Sequence, residues 1–323
     1  MSSDPSTVAI ACQGGGSHTA FTAGVLSRLL RDSTLERERD VEITAFSGTS
    51  GGAVCALLAW YGREHPAHEP DDLLTDYWSE LAASGPLDRT VNRTVRVASR
   101  LERMGVPLLE VSPYQSPAAL WGRREFLRLL EEHVDFDVIP DLLDGGEPAL
   151  LISAIDVLTG EFELFREDDL SPEAILASAA IPYAFQAVEV DGSYYWDGLF
   201  SKNPPVKDFV TNREIPDADE IWIVKINPER RERVPKSVDG IADRRNELSG
   251  NKSLNAEVSF VEHVNEWIAA GYLPEKFTHT EVERIALDRP DLGWRTKLER
   301  SPEFVERLYA DGEAAAEEFL DER

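Results

Sequence analysis

Twice near its start the chain runs from an apolar segment through a glycine turn into an apolar helix, and no other feature constrains the fold as much. Val8–Cys12 reads as a buried strand, and Gln13-Gly14-Gly15-Gly16-Ser17 follows as a tight loop. From His18 to Arg31, Phe21, Val25, Leu26, Leu29 and Leu30 recur at helical spacing. Val41–Phe46 is a second strand. It enters Ser47-Gly48-Thr49-Ser50-Gly51-Gly52 and then a helix through Ala53, Val54, Leu57, Leu58 and Trp60. Strands alternating with helices predict βαβ units, hence an α/β fold with a mostly parallel central sheet flanked by helices.

The rest of the chain continues this pattern less regularly. Glu69–Gly85 reads as a helix with Leu73, Leu74, Tyr77, Trp78 and Leu81 on one face, and Glu125–His133 as another. Between them Pro86–Pro117 carries Arg89, Arg93, Arg96, Arg100 and Arg103 among apolar residues. This basic amphipathic stretch reads either as a surface segment with a solvated arginine face or as a lid or membrane-docking segment. Ala149–Val157 and Glu161–Phe165 form a strand pair, Pro172–Ala180 a short helix, Val188–Val190 and Tyr194–Asp197 a hairpin, and Ile221–Ile226 a buried strand. After Pro228 the composition turns charged, with helices expected near Leu254–Ala270 and over Glu303–Leu320. The predicted organisation is a domain over residues 1–228, with a helical or lid-like insertion at about 62–125, and a helical extension over 229–323 packed on it.

Composition narrows the function classes. With 42% hydrophobic residues, the 323-residue chain can bury a full core. Lys+Arg 33 against Asp+Glu 60 leaves a net charge of −27, which repels phosphate backbones and argues against a nucleic-acid partner. Only 7 of the cations are lysine and the acid excess is scattered, which points to adaptation to high salt. At ~1 M salt the Debye length falls to about 3 Å and self-repulsion is screened. Two cysteines, Cys12 and Cys55, do not make a disulfide scaffold. The polar Met1–Thr7 has no basic region of a signal peptide, and no run of ~18 apolar residues occurs, so the expectation is a soluble cytoplasmic protein.

Three places carry chemistry. Gly48-Thr49-Ser50-Gly51-Gly52 fits G-x-S-x-G between a strand and a helix. That turn holds a strained serine at its tip with Oγ exposed and needs small flanking residues, with the helix N-terminus favouring negative charge. Ser50 could equally be an ordinary N-cap. Gly14, Gly15 and Gly16 lie at a strand's carboxyl end, where free amides can face an anion. A dinucleotide fingerprint fails because Thr19 replaces the last glycine, and no Gly-Lys-Ser/Thr makes a phosphate loop. An oxyanion hole and a simple packing turn remain. None of His18, His65, His68, His133, His263 and His279 has the context of a catalytic base, and His65 and His68 lack a third metal ligand. A carboxylate is the other base: Asp197 ends the aromatic strand Tyr194-Tyr195-Trp196, before Gly198. On position alone it is either that base or a plain turn aspartate.

Taken together, these segments resemble the patatin-like phospholipase family. The family has a glycine-rich oxyanion loop, a G-x-S-x-G nucleophile elbow and an Asp-Gly motif. Their counterparts are Gly14-Gly15-Gly16-Ser17-His18, Gly48-Thr49-Ser50-Gly51-Gly52 and Asp197-Gly198. Ala20-Phe21-Thr22-Ala23-Gly24-Val25-Leu26, Ala177-Ser178-Ala179-Ala180-Ile181-Pro182 and Asn203-Pro204 also look familial, and the resemblance spans roughly Thr7 to Pro228. It implies a three-layer patatin-like α/β fold and a lipid acyl hydrolase. In that enzyme Ser50 is the nucleophile, Asp197 its base, Gly14, Gly15 and Gly16 the oxyanion hole, and Gly48, Thr49, Gly51, Gly52 and Gly198 the supporting turns. It implies no metal or organic cofactor, a lipid or other acyl-ester substrate, and peripheral contact with a membrane. An acyltransferase on the same dyad and a non-catalytic lipid-binding protein are the alternatives. The sequence departs from the pattern at His18, where the family usually has Lys or Arg, at Thr19, where it usually has Gly, and at Leu199, where it often has Gly or Ala.

Overall fold

The computed structural model describes residues 5–31, 35, 39–82, 111–143, 145–182, 184–289 and 292–323. The arginine-rich stretch at 89–103 lies outside them.

Both early strands are apolar on both faces, as a strand covered on two sides must be. β1 (Ser6–Cys12) sends Val8, Ile10 and Cys12 into one buried cluster and Ala9 and Ala11 into another. α1 (Ala20–Leu30) follows the glycine loop. β2 (Val41–Gly48) pairs parallel to β1 and leads into α2 (Gly51–Glu64) and α3 (Pro70–Leu81). After α4 (Pro117–His133) come β3 (Ala149–Asp156), parallel to β2, and β4 (Phe162–Phe165), antiparallel to β3. α5 (Pro172–Ala179) leads into the hairpin of β5 (Val188–Val190) and β6 (Ser193–Asp197). β7 (Glu220–Lys225) returns to the free side of β1 in parallel. Along the sheet the order is β5-β6-β3-β2-β1-β7-β8, with β4 paired to β3 off this path. The sheet is therefore mostly parallel at its centre and antiparallel at the β6 side.

The alternation of the strands sets the layers. On one face α1, α2, α3, α4 and α5 contribute Phe21, Leu57, Leu74, Leu130 and Ile175 to the larger cluster. On the other face Leu254, Val258 and Val261 of α6 (Val238–Ala269) meet Ala9, Ala11, Leu151 and Ile223. α6 begins well before the expected Leu254, because its first half buries Asp243, Asn246, Glu247 and Asn251 rather than an apolar stripe. The stretch read as purely helical also contains a strand, β8 (Glu281–Ala286), parallel to β7 at the sheet edge. Its Glu281, Glu283 and Ala286 are exposed and Ile285 is buried, the charged profile by which edge strands avoid further pairing. α7 (Pro302–Asp321) returns to α1 with backbones in contact. A Cβ on Gly24 would stand 2.0 Å from the Tyr309 carbonyl oxygen, and one on Gly312 2.1 Å from that of Phe21. Among the described residues no helix is long and apolar enough to cross a membrane.

Candidate active site

β2 delivers the chain into its turn with Ser50 at φ 58° and ψ −131°. For a residue with a Cβ such a conformation costs about 1–3 kcal/mol and persists only where the surroundings impose it. Here the Ser50 amide donates to Ser178 Oγ at 3.0 Å, and the Gly52 amide donates to the Thr49 carbonyl at 2.9 Å. Thr49 Oγ1 lies 2.6 Å from Ser153 Oγ, and both hydroxyls reach the Lys202 carbonyl, at 2.8 and 2.9 Å. No side chain fits beside the turn: a Cβ on Gly48 would stand 2.5 Å from the Gly52 carbonyl oxygen, and one on Gly52 2.2 Å from that of Cys12. Such a turn was expected to expose its serine. Ser50 is only 5% exposed, so little of it meets open solvent.

Asp197 ends β6 opposite Ala154 of β3 and is fully buried. Its Oδ1 accepts the Leu199 amide at 2.8 Å. Its Oδ2 is buried without a hydrogen-bond partner of ordinary geometry. Burial pushes the carboxyl up to about 7, opposed by the Leu199 amide, the nearby Ser50 hydroxyl and the charge of Lys297. The next residue explains the Asp-Gly pair: a Cβ on Gly198 would stand 2.3 Å from Ser153 Oγ, the hydroxyl that touches Thr49. Ser153 thus ties the aspartate's turn to the serine's.

The glycine loop lies against the same turn. A Cβ on Gly14 would stand 2.4 Å from the Thr49 carbonyl oxygen and 2.7 Å from Ser50 Cβ. The three amides expected to bind an anion together are not equivalent. That of Gly14 is engaged, donating to Asn203 Oδ1 at 2.7 Å. This corrects the expectation at Gly14, whose amide faces a buried side-chain acceptor. The amides of Gly15, Gly16 and Gly51 donate to no other described residue. Thr19 donates its hydroxyl to the Gly16 carbonyl at 2.6 Å and crowds Gly51, so it braces the loop where a glycine could not.

Several residues that hold this site carry no local sequence signal. Asn203 fixes Gly14 from the chain just after the Asp-Gly turn. Asn227 donates its side-chain amide to the Gly14 carbonyl at 3.1 Å. Gln13 accepts the amides of Ile226 and Asn227, at 3.1 and 2.9 Å, and donates to Asn251 of α6. The Asn203-Pro204 pair and Ser178 sat in segments already recognisable by resemblance, which is the signal that could have found them. The histidines lie elsewhere or in structural roles. His65 stacks on Tyr61, with His68 tilted against the same ring, His133 bonds the Leu129 carbonyl, and His18 Nε2 lies 2.8 Å from Thr296 Oγ1. Cys12 and Cys55 are buried free thiols. Among the described residues no group of three or more His, Cys, Asp or Glu could hold a metal.

Fold and turn together define the class: an α/β protein with a serine on a strained strand-to-helix elbow, facing a buried carboxylate. The family follows from the sequence match. The patatin-like phospholipase model fits residues 10–210, and the chain belongs to that family. Among solved structures it is similar to VipD from Legionella pneumophila, 13% identical over 99% of this chain and 67% of that one, TM-score 0.42. It is also similar to the type III effector ExoU of Pseudomonas aeruginosa, 15% identical over 99% and 53%, TM-score 0.37. A third is human GIVD cytosolic phospholipase A2 bound to methyl gamma-linolenyl fluorophosphonate, 18% identical over 51% and 23%, TM-score 0.29. The chain spans about half or less of the length of the latter two. A search of curated proteins finds no match.

Proposed function

We propose that this chain is a serine lipid acyl hydrolase that cleaves carboxylic esters through an acyl-Ser50 intermediate. The observation that carries the reading is a strained Ser50 beside the buried carboxyl of Asp197, whose Oδ2 no other described residue engages. In this reading Ser50 Oγ attacks the ester carbonyl carbon while Asp197 Oδ2 takes the hydroxyl proton. The carbonyl oxygen becomes an oxyanion within reach of the Gly15 and Gly16 amides, with Gly51 at the N-terminus of α2 adding a third donor. As the tetrahedral intermediate collapses, the ester C–O bond breaks and Asp197 returns the proton to the departing alcohol. Water then repeats the cycle on the acyl-enzyme, yielding the free acid and restoring Ser50. A carboxyl near pH 7 suits both halves of this exchange, since it must accept and release a proton at the working pH. The test is covalent labelling by a fluorophosphonate together with hydrolysis of a short-chain ester. Wild type should show both and Ser50→Ala neither, while keeping its thermal midpoint within a few degrees. A labelled Ser50→Ala protein would overturn the assignment.

A further inference from the structure

The site has a cation that no local sequence pattern places there. Lys297 belongs to a short 3₁₀ helix, Trp294–Leu298, between β8 and α7. It is one of 7 lysines in a chain of net charge −27, yet it is only 7% exposed. Burying an ammonium is costly unless its surroundings use the charge. Its Nζ donates to Asn227 Oδ1 at 3.1 Å, and the same Asn227 side chain donates to the Gly14 carbonyl. The backbone of Lys297 completes the contact: a Cβ on Gly16 would stand 2.4 Å from the Lys297 carbonyl oxygen. Thr296, one residue earlier, bonds His18 just after the loop. The glycine loop is thus held at both ends by this one segment. Among the described residues the ionic partner of Lys297 is Asp243 of α6 at 3.3 Å, a carboxylate that Arg231 also engages at 3.3 Å. A shared counter-ion neutralises the lysine less than a dedicated one would.

We infer that Lys297 is the positioning cation of the site, fixing the loop of Gly14, Gly15 and Gly16 through Asn227 and setting a positive field over the Ser50–Asp197 pair. The inference rests on the hydrolase reading above. Its electrostatic half agrees with the pull of Lys297 on the Asp197 carboxyl. Around Asp197 the groups that bear on its ionisation are the Leu199 amide, Ser50 and Lys297; the side chains that engage the Lys297 ammonium are Asn227 and Asp243, with Arg231 behind the latter.

The test uses the full chain, a neutral short-chain ester and a neutral fluorophosphonate across a pH series, with thermal midpoints for each variant. Lys297→Met, which keeps the stem and removes the charge, should lower kcat/KM roughly 10-fold to 100-fold. It should also move the acid limb of the rate to higher pH, because an anion that loses a nearby cation ionises less readily. Lys297→Arg should hold the wild-type limb. Asp243→Asn, which leaves the ammonium less neutralised, should move the limb the opposite way. A rate loss in Lys297→Met that is uniform with pH would leave the lysine a merely structural part and overturn the inference. A limb displaced equally in Lys297→Arg would do the same. If Lys297→Met does not fold, the Asp243→Asn limb decides: a downward move supports the inference and a fixed one overturns it. Ser50→Ala beside them separates the two readings. Lys297→Met should still label, more slowly, whereas label on Ser50→Ala defeats the serine assignment and this inference with it.

Discussion

Replacing Asp197 by asparagine should make the protein more stable at neutral pH than at acid pH, relative to wild type. Asp197 is fully buried, and burial moves its carboxyl from the ordinary 3.8 to about 7. A pKa higher in the folded than in the unfolded chain means that the native state holds the proton more tightly. The favourable contribution of the protonated group is therefore whole below about pH 4 and is lost as the pH rises to about 7. At about 1.4 kcal/mol per pH unit, the ionised carboxylate costs the fold about 4 kcal/mol above that point. Asparagine retains an oxygen for the Leu199 amide and has no charge to desolvate. An amide nitrogen left without an acceptor would cost about 1–3 kcal/mol, but equally at every pH. The pH dependence of the difference thus isolates the charge. Thermal midpoints of wild type and Asp197→Asn, followed from about pH 4 to about pH 8 at one fixed salt concentration, should separate by about 8 °C in favour of the variant. This takes about 2 °C per kcal/mol for a chain of this size. Most of the change should fall between about pH 5 and 7. Curves that stay parallel within about 1 °C would refute a desolvated, poised carboxylate, and with it the base assigned to Ser50.

The same Asp197→Asn variant should lose activity by roughly 10²–10⁴ in kcat, the range for a general base, measured on a soluble ester. Asn203→Ala removes the acceptor of the Gly14 amide and should lower kcat about 10-fold with little change in KM, since in the proposed reaction the loop acts on the oxyanion more than on the bound ester. His18→Ala should reduce the rate modestly and leave serine labelling intact; a variant as inactive as Ser50→Ala would point to a histidine base instead. The net charge of −27 predicts a thermal midpoint that climbs steeply between low salt and about 1 M KCl, and a flat response would remove the reading of high-salt adaptation.

The parts of this molecule legible in the sequence are those whose cause is local. The two strand–turn–helix units announce themselves because a strained turn admits only glycine beside it, as at Gly48 and Gly52. Asp197 was legible only by motif, since a turn aspartate and a buried base look alike until β3 and β6 pair. Asn203 was marked only by the resemblance of its segment, without a role, and Asn227 and Lys297 could not be read at all: each acts on the glycine loop across a long stretch of chain, where nothing local marks it. β8 escaped because an edge strand is written in exposed charges, and the first half of α6 because it is anchored by polar side chains. There Glu247 pairs with Arg231 and, at 3.1 Å, with Arg244.

The segment from Trp294 to Asp321 gives the order of synthesis a meaning. A ribosome makes the chain from the N-terminus, and domains fold as their residues emerge. A nascent chain halted before residue 294 already carries Ser50 and Asp197. It lacks the carbonyl that seats Gly16, the ammonium behind Asn227, and the helix whose Gly312 locks onto α1 directly after the loop. Such a chain would hold both residues of the proposed pair beside a glycine loop that has neither its seat nor its ammonium, so on the proposed reading the loop is set only once α7 has docked on α1.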